Sequence, residues 1–360
     1  MQPYIVLRRI DNWEQIKQEA ETKQRPKDYI LSLQEKLKAS LILPHVEPSN
    51  TDKLLSVWEG KPENWALARK LSHELDEEDI IFCDCEDSAT PIATLFANRQ
   101  NRPTIVAFFQ NFTRLRGLAS TKLLRVCRTI DLFIVCSTYQ RDRLCQHLNL
   151  SESQVRFIPF CVDFNFFSPG SSAKKIRPII ASVGLENRDY RLLALATEKM
   201  DVDVRISGCS PHARQLKRSF PKVMPDNMSR RFYAWNELVQ LYRDADIVVV
   251  SSFESNYASG ITSLQEAVAC KRPIIATKTR GLNSYLQTDA ILTVEPGDVE
   301  GLKQAISYLL KNPDEAKERA ERAYQIAVDR YSVEHFTNTV VDYMKDVHYA
   351  RKHKSVLVSN

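Results

Sequence analysis

Gly260 stands beside Ser259 and just before Ile261 and Thr262, after the apolar run "DIVVVSS" and at the mouth of the helix-like "ITSLQEAVAC", in a chain with only nine glycines. Glycine lets the main chain approach a ligand, the two hydroxyl residues add donors, and the free N–H groups of a helix N-terminus favour a negative group. A phosphate seat is the chemistry this spacing suggests. A second reading stays open. Ser263-x-x-Glu266 has the form of a capping box, which would engage Glu266 with its own helix and leave Gly260 as a simple turn. A separate group of acids, Asp84, Glu86 and Asp87, follows the run "DIIFC". They could orient an acceptor or take a proton, although acids also gather at helix N-termini for dipole reasons alone.

The elements that must position these residues are legible as alternation. Residues 79–136 interleave "DIIFCDC", "PTIVAFF" and "DLFIVCS" with helix-compatible stretches such as "SATPIATLFANRQ". From 178 the pattern restarts with "PIIASVG", "DVDVRISG", "DIVVVSS", "RPIIAT" and "AILTV". Unbroken apolar runs flanked by helices predict strands covered on both faces, hence parallel sheets. The expected architecture is α/β, with two Rossmann-like doubly wound parallel-sheet domains facing across a cleft. The expected boundaries are an N-terminal domain over 1–168, a Ser/Pro/Gly/Lys-rich linker over 169–178, a C-terminal domain over 179–345 and a basic tail over 346–360. No glycine precedes Gly60, so the first strand lacks the glycine-rich turn of a dinucleotide clamp, which argues against an ordinary Rossmann dehydrogenase.

Composition narrows the class further. At 360 residues, 43% hydrophobic and 26% charged, the chain reads as an ordinary folded protein of about two domains. The start "MQPYIVLRRIDNWEQ" lacks the apolar core of a signal peptide, and no run is long enough for a membrane span, which implies a cytoplasmic protein. The eight cysteines are scattered and read as free buried thiols, and neither they nor the histidines have the spacing of a metal site, so no metal is assigned.

The net charge of +5 is uneven. Between Asp87 and Asp131 there is no acid, while Arg99, Arg102, Arg114, Arg116, Lys122, Arg125 and Arg128 all occur. Leu115, Leu118, Leu123, Leu124 and Val126 lie among these bases, so 112–129 could dock peripherally on an anionic membrane at its inner face. Nucleic-acid binding is a poor explanation, because that half is neutral and lacks an aromatic-rich RNA motif.

The stretch "LVQLYRDADIVVVSSFESNYASGITSLQEAVACKRPIIATKTRGLNSYL" resembles the donor-binding segment of the family 4 (group 1) retaining glycosyltransferases of GT-B fold. That family shows E-G-F-G-x-x-x-x-E-A-x-A-x-G-x-P-V-I-A-T. "VRFIPFCVDFNFFSP" is similar to its interdomain segment, and the likeness runs from about Ile80 to Val347. The resemblance implies transfer of a sugar from a nucleotide-diphosphate sugar to a glycan or lipid-linked hydroxyl acceptor, with no further cofactor. It places Glu266 on the ribose hydroxyls, and Ser259, Gly260, Ile261 and Thr262 on the distal phosphate. Gly184 and Arg188 fall in the diphosphate loop, with Arg188 neutralising the leaving nucleotide, and Tyr233, Ala234 and Trp235 fall where the base is read. The chain departs from the pattern in two places. Ala258 stands where the first motif glutamate belongs, leaving Glu254 as the nearest upstream acid, and Gln110-Asn111 replaces the N-domain histidine on the acceptor side. Asp84 and Glu86 are the remaining candidates for catalytic acid or base. Two other readings stay open: a nucleotide-sugar epimerase, and a non-catalytic protein of the same fold that binds a nucleotide or glycan.

Overall fold

Strands buried on both faces need apolar residues at every position, and Thr104–Phe109 buries all six of its side chains. The computed structural model describes residues 2–8, 11–111, 126–209 and 215–358. Among these residues the chain builds two six-stranded sheets in which every pairing is parallel. The first contains β1 (Gln2–Val6), β2 (Ser40–Ile42), β3 (Asp79–Cys83), β4 (Thr104–Phe109), β5 (Leu132–Val135) and β6 (Val155–Phe157), in the order β2-β1-β3-β4-β5-β6. The second contains β7 (Ile179–Val183), β8 (Asp203–Ser207), β9 (Met228–Arg230), β10 (Ile247–Val250), β11 (Ile274–Thr277) and β12 (Leu292–Val294), in the order β12-β11-β10-β7-β8-β9.

Both orders reverse once. In the first sheet the reversal lies between β1 and β3, and in the second between β7 and β10. At such a point the loops leaving the carboxyl ends of two adjacent strands run in opposite directions, which is where open α/β sheets bind ligands. The sequence candidates cluster on these loops. Asp84 and Glu86 follow β3, Gly184 and Arg188 follow β7, and Ser259 and Gly260 follow β10.

The division of the chain differs from the one composition suggests. One unit comprises residues 1–14, 29–158 and 336–360, and the other comprises 15–28 and 159–335. The polar stretch 169–178 is therefore not the boundary; the Ala173 amide donates to Asp244 and Ser168 accepts from Arg243, which ties it to the second unit. Residues 346–360 are not a tail either. Residues 346–358 continue the helix Val333–Val358, which returns to the first unit. Phe336 packs edge-on against Tyr29 and Phe108 with ring centroids 5.2 and 5.9 Å away. His348 is 2% exposed and sits 2.9 Å from the Thr104 hydroxyl, and burial holds its pKa below the usual imidazole value. A helix far along the chain can complete an early domain because loop closure costs little per added residue.

Of the basic run, 112–125 lies outside the described residues. Arg102 is committed to Asp131 through two bonds of 2.7 and 2.9 Å. Cys83, Cys85, Cys136, Cys161 and Cys270 are buried free thiols.

Deleting residues 346–360 is expected to lower the melting temperature by several degrees, at about 2–4 °C per kcal/mol lost, because it removes the buried His348 and its bond to Thr104. Calorimetry of the truncated and full chains measures this; an unchanged melting temperature would mean that the segment hangs free.

Candidate functional site

The helix Ile261–Ala269 starts directly after Gly260, whose φ is 100°. A side chain there would be strained by the backbone and would meet Val250 Cγ1 at 2.8 Å, so only glycine fits. The first helical bond is Leu264 N–H to the Gly260 carbonyl at 3.0 Å. Ile261 N–H reaches Ala258 O at 3.2 Å. The amides of Gly260, Thr262 and Ser263 have no hydrogen-bond acceptor among the described residues. Helix N-termini leave such donors unsatisfied, and the helix dipole places partial positive charge beside them.

Arg188 lies against this mouth and is 4% exposed. Its Nε donates to Val183 O at 3.0 Å and its Nη1 to Glu186 O at 3.1 Å. Nη1 also reaches the hydroxyls of Ser252 and Ser259 at 3.4 and 3.5 Å, and Nη2 donates to Ser263 Oγ at 2.8 Å. Every one of these acceptors is neutral. The guanidinium also fits between two glycines, since a Cβ on Gly184 (φ 103°) would stand 2.7 Å from Nη2 and one on Gly260 3.3 Å from Nη1.

The loops after β7 and β10 are knitted together around it. Asn187 and Phe253 exchange bonds of 2.9 and 3.1 Å, the Tyr257 hydroxyl donates to Glu186 Oε1 at 3.1 Å, and Ser259 Oγ donates to Glu186 O at 3.0 Å. Burial raises the Tyr257 pKa, with the Glu186 carboxylate adding to the effect. On the outer side, the exposed Glu254 accepts the amides of Ser255 and Arg280 at 3.2 and 3.1 Å, so it braces the loop from solvent.

Glu266 is 4% exposed and does not form the capping box that its spacing allows. The helix begins before Ser263, whose hydroxyl donates to Gly260 O at 3.1 Å, and the Glu266 side chain lies one turn further along. There Oε2 accepts from the Tyr242 hydroxyl at 2.7 Å, while Oε1 has no partner among the described residues. Burial raises the Glu266 pKa to about 7, against the lowering effects of the Tyr242 hydrogen bond and the Arg188 charge.

Tyr233 and Trp235 sit at the start of the helix Trp235–Asp244, after β9 and so at the sheet edge rather than at the reversal. The Arg231 guanidinium stands 3.7 Å from the Tyr233 ring centroid, and Trp235 makes edge contacts with Phe166 and Phe167 at 6.5 Å.

The first unit gathers its own candidates at the β1/β3 reversal. Asp84 Oδ1 accepts from the Arg8 amide at 3.2 Å and from Ser88 Oγ at 3.3 Å. Glu86 receives the main-chain amides of Gln110 and Asn111 at 3.0 and 3.1 Å, so it clamps the loop after β4. Burial raises the Glu86 pKa to about 6. Gln110 Nε2 donates to Asp84 O at 3.0 Å, and Gln140 donates to Gln110 O at 2.8 Å.

The residues missed in the sequence are Arg8, Gln140, Asn187, Glu186 and Tyr242, and Ser263 was read only as a cap. Only Tyr242 carried a usable signal, an apolar-face position in "NELVQLYRDA" directly ahead of β10.

The fold, with two parallel sheets each reversing beneath its candidate residues, is of the GT-B class. Residues 188–312 match the family model for glycosyl transferases group 1. The chain is 31% identical over 179 residues to a D-inositol 3-phosphate glycosyltransferase of Corynebacterium jeikeium, and the match covers 42% of each protein. Among solved structures, a trehalose 6-phosphate synthase from Burkholderia multivorans superposes with a TM-score of 0.74 at 14% identity, covering 98% of both chains. An Anabaena protein, HepE, in complex with UDP-glucose superposes with a TM-score of 0.69 at 13% identity, covering 96% of this chain and all of the other.

Two outcomes follow from this geometry. Gly260→Ala should cost about 1–3 kcal/mol of stability in denaturant unfolding, from the positive φ and the contact with Val250. Between pH 4.5 and about 7 the unfolded chain has released the Glu266 proton and the folded chain keeps it, so stability falls as pH rises through that window. The loss approaches about 3 kcal/mol above pH 7, and the Glu266→Gln variant should lack this component when the two pH profiles are subtracted.

Proposed function

We propose that the chain is a sugar-nucleotide-dependent glycosyltransferase, moving a glycosyl group from a nucleotide-diphosphate sugar to a hydroxyl acceptor with retention of configuration. The observation that carries this reading is the mouth of the Ile261–Ala269 helix, where three uncommitted amides lie beside a buried guanidinium that has only neutral partners. A buried guanidinium that hydrogen-bonds only neutral groups, set at the positive end of a helix, favours an anion there, and a diphosphate meets that demand.

On this reading the amides of Gly260, Thr262 and Ser263 hold the distal phosphate, and the exposed Thr262 hydroxyl adds a donor. Glu266 Oε1 accepts from the ribose diol, and Tyr233 and Trp235 flank the base. Arg188 acts mainly at one remove. Its Nε and Nη1 are spent on Val183, Glu186, Ser252 and Ser259, while Nη2 bonds Ser263 and keeps one N–H without an acceptor among the described residues, so it supplies field and position and retains one donor for the phosphate. The glycosyl–phosphate C–O bond breaks with its electron pair on the nucleoside diphosphate. The acceptor oxygen then bonds to the same face of the sugar, and its proton passes to the departing phosphate oxygen. Preorganised amides stabilise the charge that develops, so no side-chain acid from the β10 loop is required.

The acceptor belongs with Asp84, Gln110 and Asn111 in the first unit, where Glu86 positions the β4 loop through its two amide bonds. The nucleotide sugar is substrate, and the proposal includes no resident cofactor or metal. A glycan or lipid-linked acceptor, action in the cytoplasm and peripheral contact with an anionic membrane through 112–129 complete it. Among the described residues no helix is long and apolar enough to cross a membrane.

The test is nucleoside diphosphate release from a panel of nucleotide sugars, beginning with UDP-glucose, with and without lipid extract. One donor should turn over, and Glu266→Ala should lower kcat/KM by about 10- to 100-fold, the worth of a hydrogen bond to a charged group. Nucleotide binding without release from any donor would overturn transfer in favour of a binding protein, and conversion of a nucleotide sugar without an acceptor would favour an epimerase.

A further inference from the structure

Tyr242 has no place in the reading above, yet it is completely buried and its hydroxyl points at the one carboxylate of the donor site. It lies on the helix Trp235–Asp244, which leads into β10, and its ring packs edge-on against Phe167 at 6.1 Å. The bond to Glu266 Oε2 is 2.7 Å, short enough for a charge-assisted hydrogen bond, while the contact with Ser263 O is 3.4 Å. Tyr242 thereby fills one oxygen of Glu266 and leaves the other, Oε1, for a ligand.

Resting on the donor-site reading of Glu266, we propose that Tyr242 is a positioning residue for donor binding: its hydroxyl fixes the Glu266 carboxylate and holds it in the charged form that accepts the ribose diol. The surroundings explain why such a partner is needed. The groups facing Glu266 are Tyr242 from the preceding helix, Arg188 from the β7 loop and Cys270 from the end of its own helix, with Arg243 and Arg272 acting on Cys270. Burial pushes the carboxyl toward its neutral form, and only the Tyr242 bond and the Arg188 charge oppose this. A neutral acid is a poor acceptor for two hydroxyl donors, so nucleotide affinity should rise with pH as Glu266 ionises.

The experiment is calorimetric titration of the full chain with UDP, GDP, ADP and dTDP from pH 5.5 to 9.5, in the wild type, Tyr242→Phe and Glu266→Gln, with melting temperatures as a check on folding. In the wild type the affinity for the preferred nucleotide should rise through a midpoint near 7. Tyr242→Phe should move that midpoint up by about 1–2 pH units, the equivalent of one hydrogen bond to a charged group, and weaken binding at pH 7 by about tenfold or more. At pH 9.5 most of the wild-type affinity should return. Glu266→Gln should bind weakly with no such midpoint.

Weaker binding in Tyr242→Phe by the same factor at every pH, with an unmoved midpoint, would overturn the positioning role and leave Tyr242 as packing. A wild-type profile in Tyr242→Phe alongside an impaired Glu266→Gln would do the same while sparing Glu266. If Glu266→Gln binds like the wild type, or if no nucleotide binds, the donor-site reading fails and the role of Tyr242 falls with it. Because Phe keeps the ring against Phe167, an unchanged melting temperature separates loss of the hydroxyl from loss of the core.

Discussion

The second sheet's reversal is organised by one buried positive charge. Removing a guanidinium from water is costly unless its donors are satisfied, and Arg188 is satisfied by two main-chain carbonyls and three serine hydroxyls drawn from the ends of β7 and β10 and from the first turn of the following helix. Those acceptors are neutral, so none of the hydrogen bonds cancels the charge, which acts instead on the Glu266 carboxyl. The same constraint explains two of the nine glycines. Gly184 and Gly260 both adopt positive φ, and both stand where a Cβ would crowd the guanidinium.

From that charge follows the rigidity of the surrounding loops. The Asn187–Phe253 exchange, the Tyr257–Glu186 bond and the Glu254–Arg280 brace fasten the segments after β7, β10 and β11 to each other. The helix N-terminus is thus presented by a hydrogen-bonded framework, and fixed dipoles stabilise developing charge most effectively when they are held in place beforehand. Glu266 belongs to the same framework. It is as buried as Arg188 and is tied to Tyr242, so one of its two oxygens is left without a partner among the described residues.

The parallel-sheet architecture was legible because strands such as "TIVAFF" and "IVVV" are buried at every position and so appear as unbroken apolar runs. Three-residue strands such as β6 and β9 carry too few residues to show any period, and β1 was hidden in a short opening run. The boundary was misplaced because polar composition marks exposure, whereas membership of a unit depends on which core a helix fills, and Phe336 fills the first. At the site, residue types were readable and directions were not. Arg188 was singled out as a cation, but sequence does not say that a long side chain folds back on its own loop. Glu86 was singled out as a carboxylate, but its partners are main-chain amides of Gln110 and Asn111, which any residues would present. The capping box failed on a boundary, since the helix starts at Ile261 rather than after Ser263.

The departures from the group 1 motif become intelligible in this frame. Ala258, in the place of the first motif glutamate, is 6% exposed, and its carbonyl accepts the Ile261 amide at 3.2 Å, so this position serves the turn into the helix through its main chain. Glu254, the nearest upstream acid, uses its Oε1 to accept the Ser255 and Arg280 amides on the exposed side. The loop after β10, on the proposed reading, offers a ligand main-chain N–H groups, hydroxyls and the field of a buried cation. On the proposed reading that arrangement is suited to a step whose charge leaves with the nucleotide: the donor's own phosphate can receive the acceptor proton, and the protein's part is to hold that phosphate in a fixed positive field. Such a site depends less on a single reacting side chain than on the geometry of Gly260, Arg188 and the first turn of one helix.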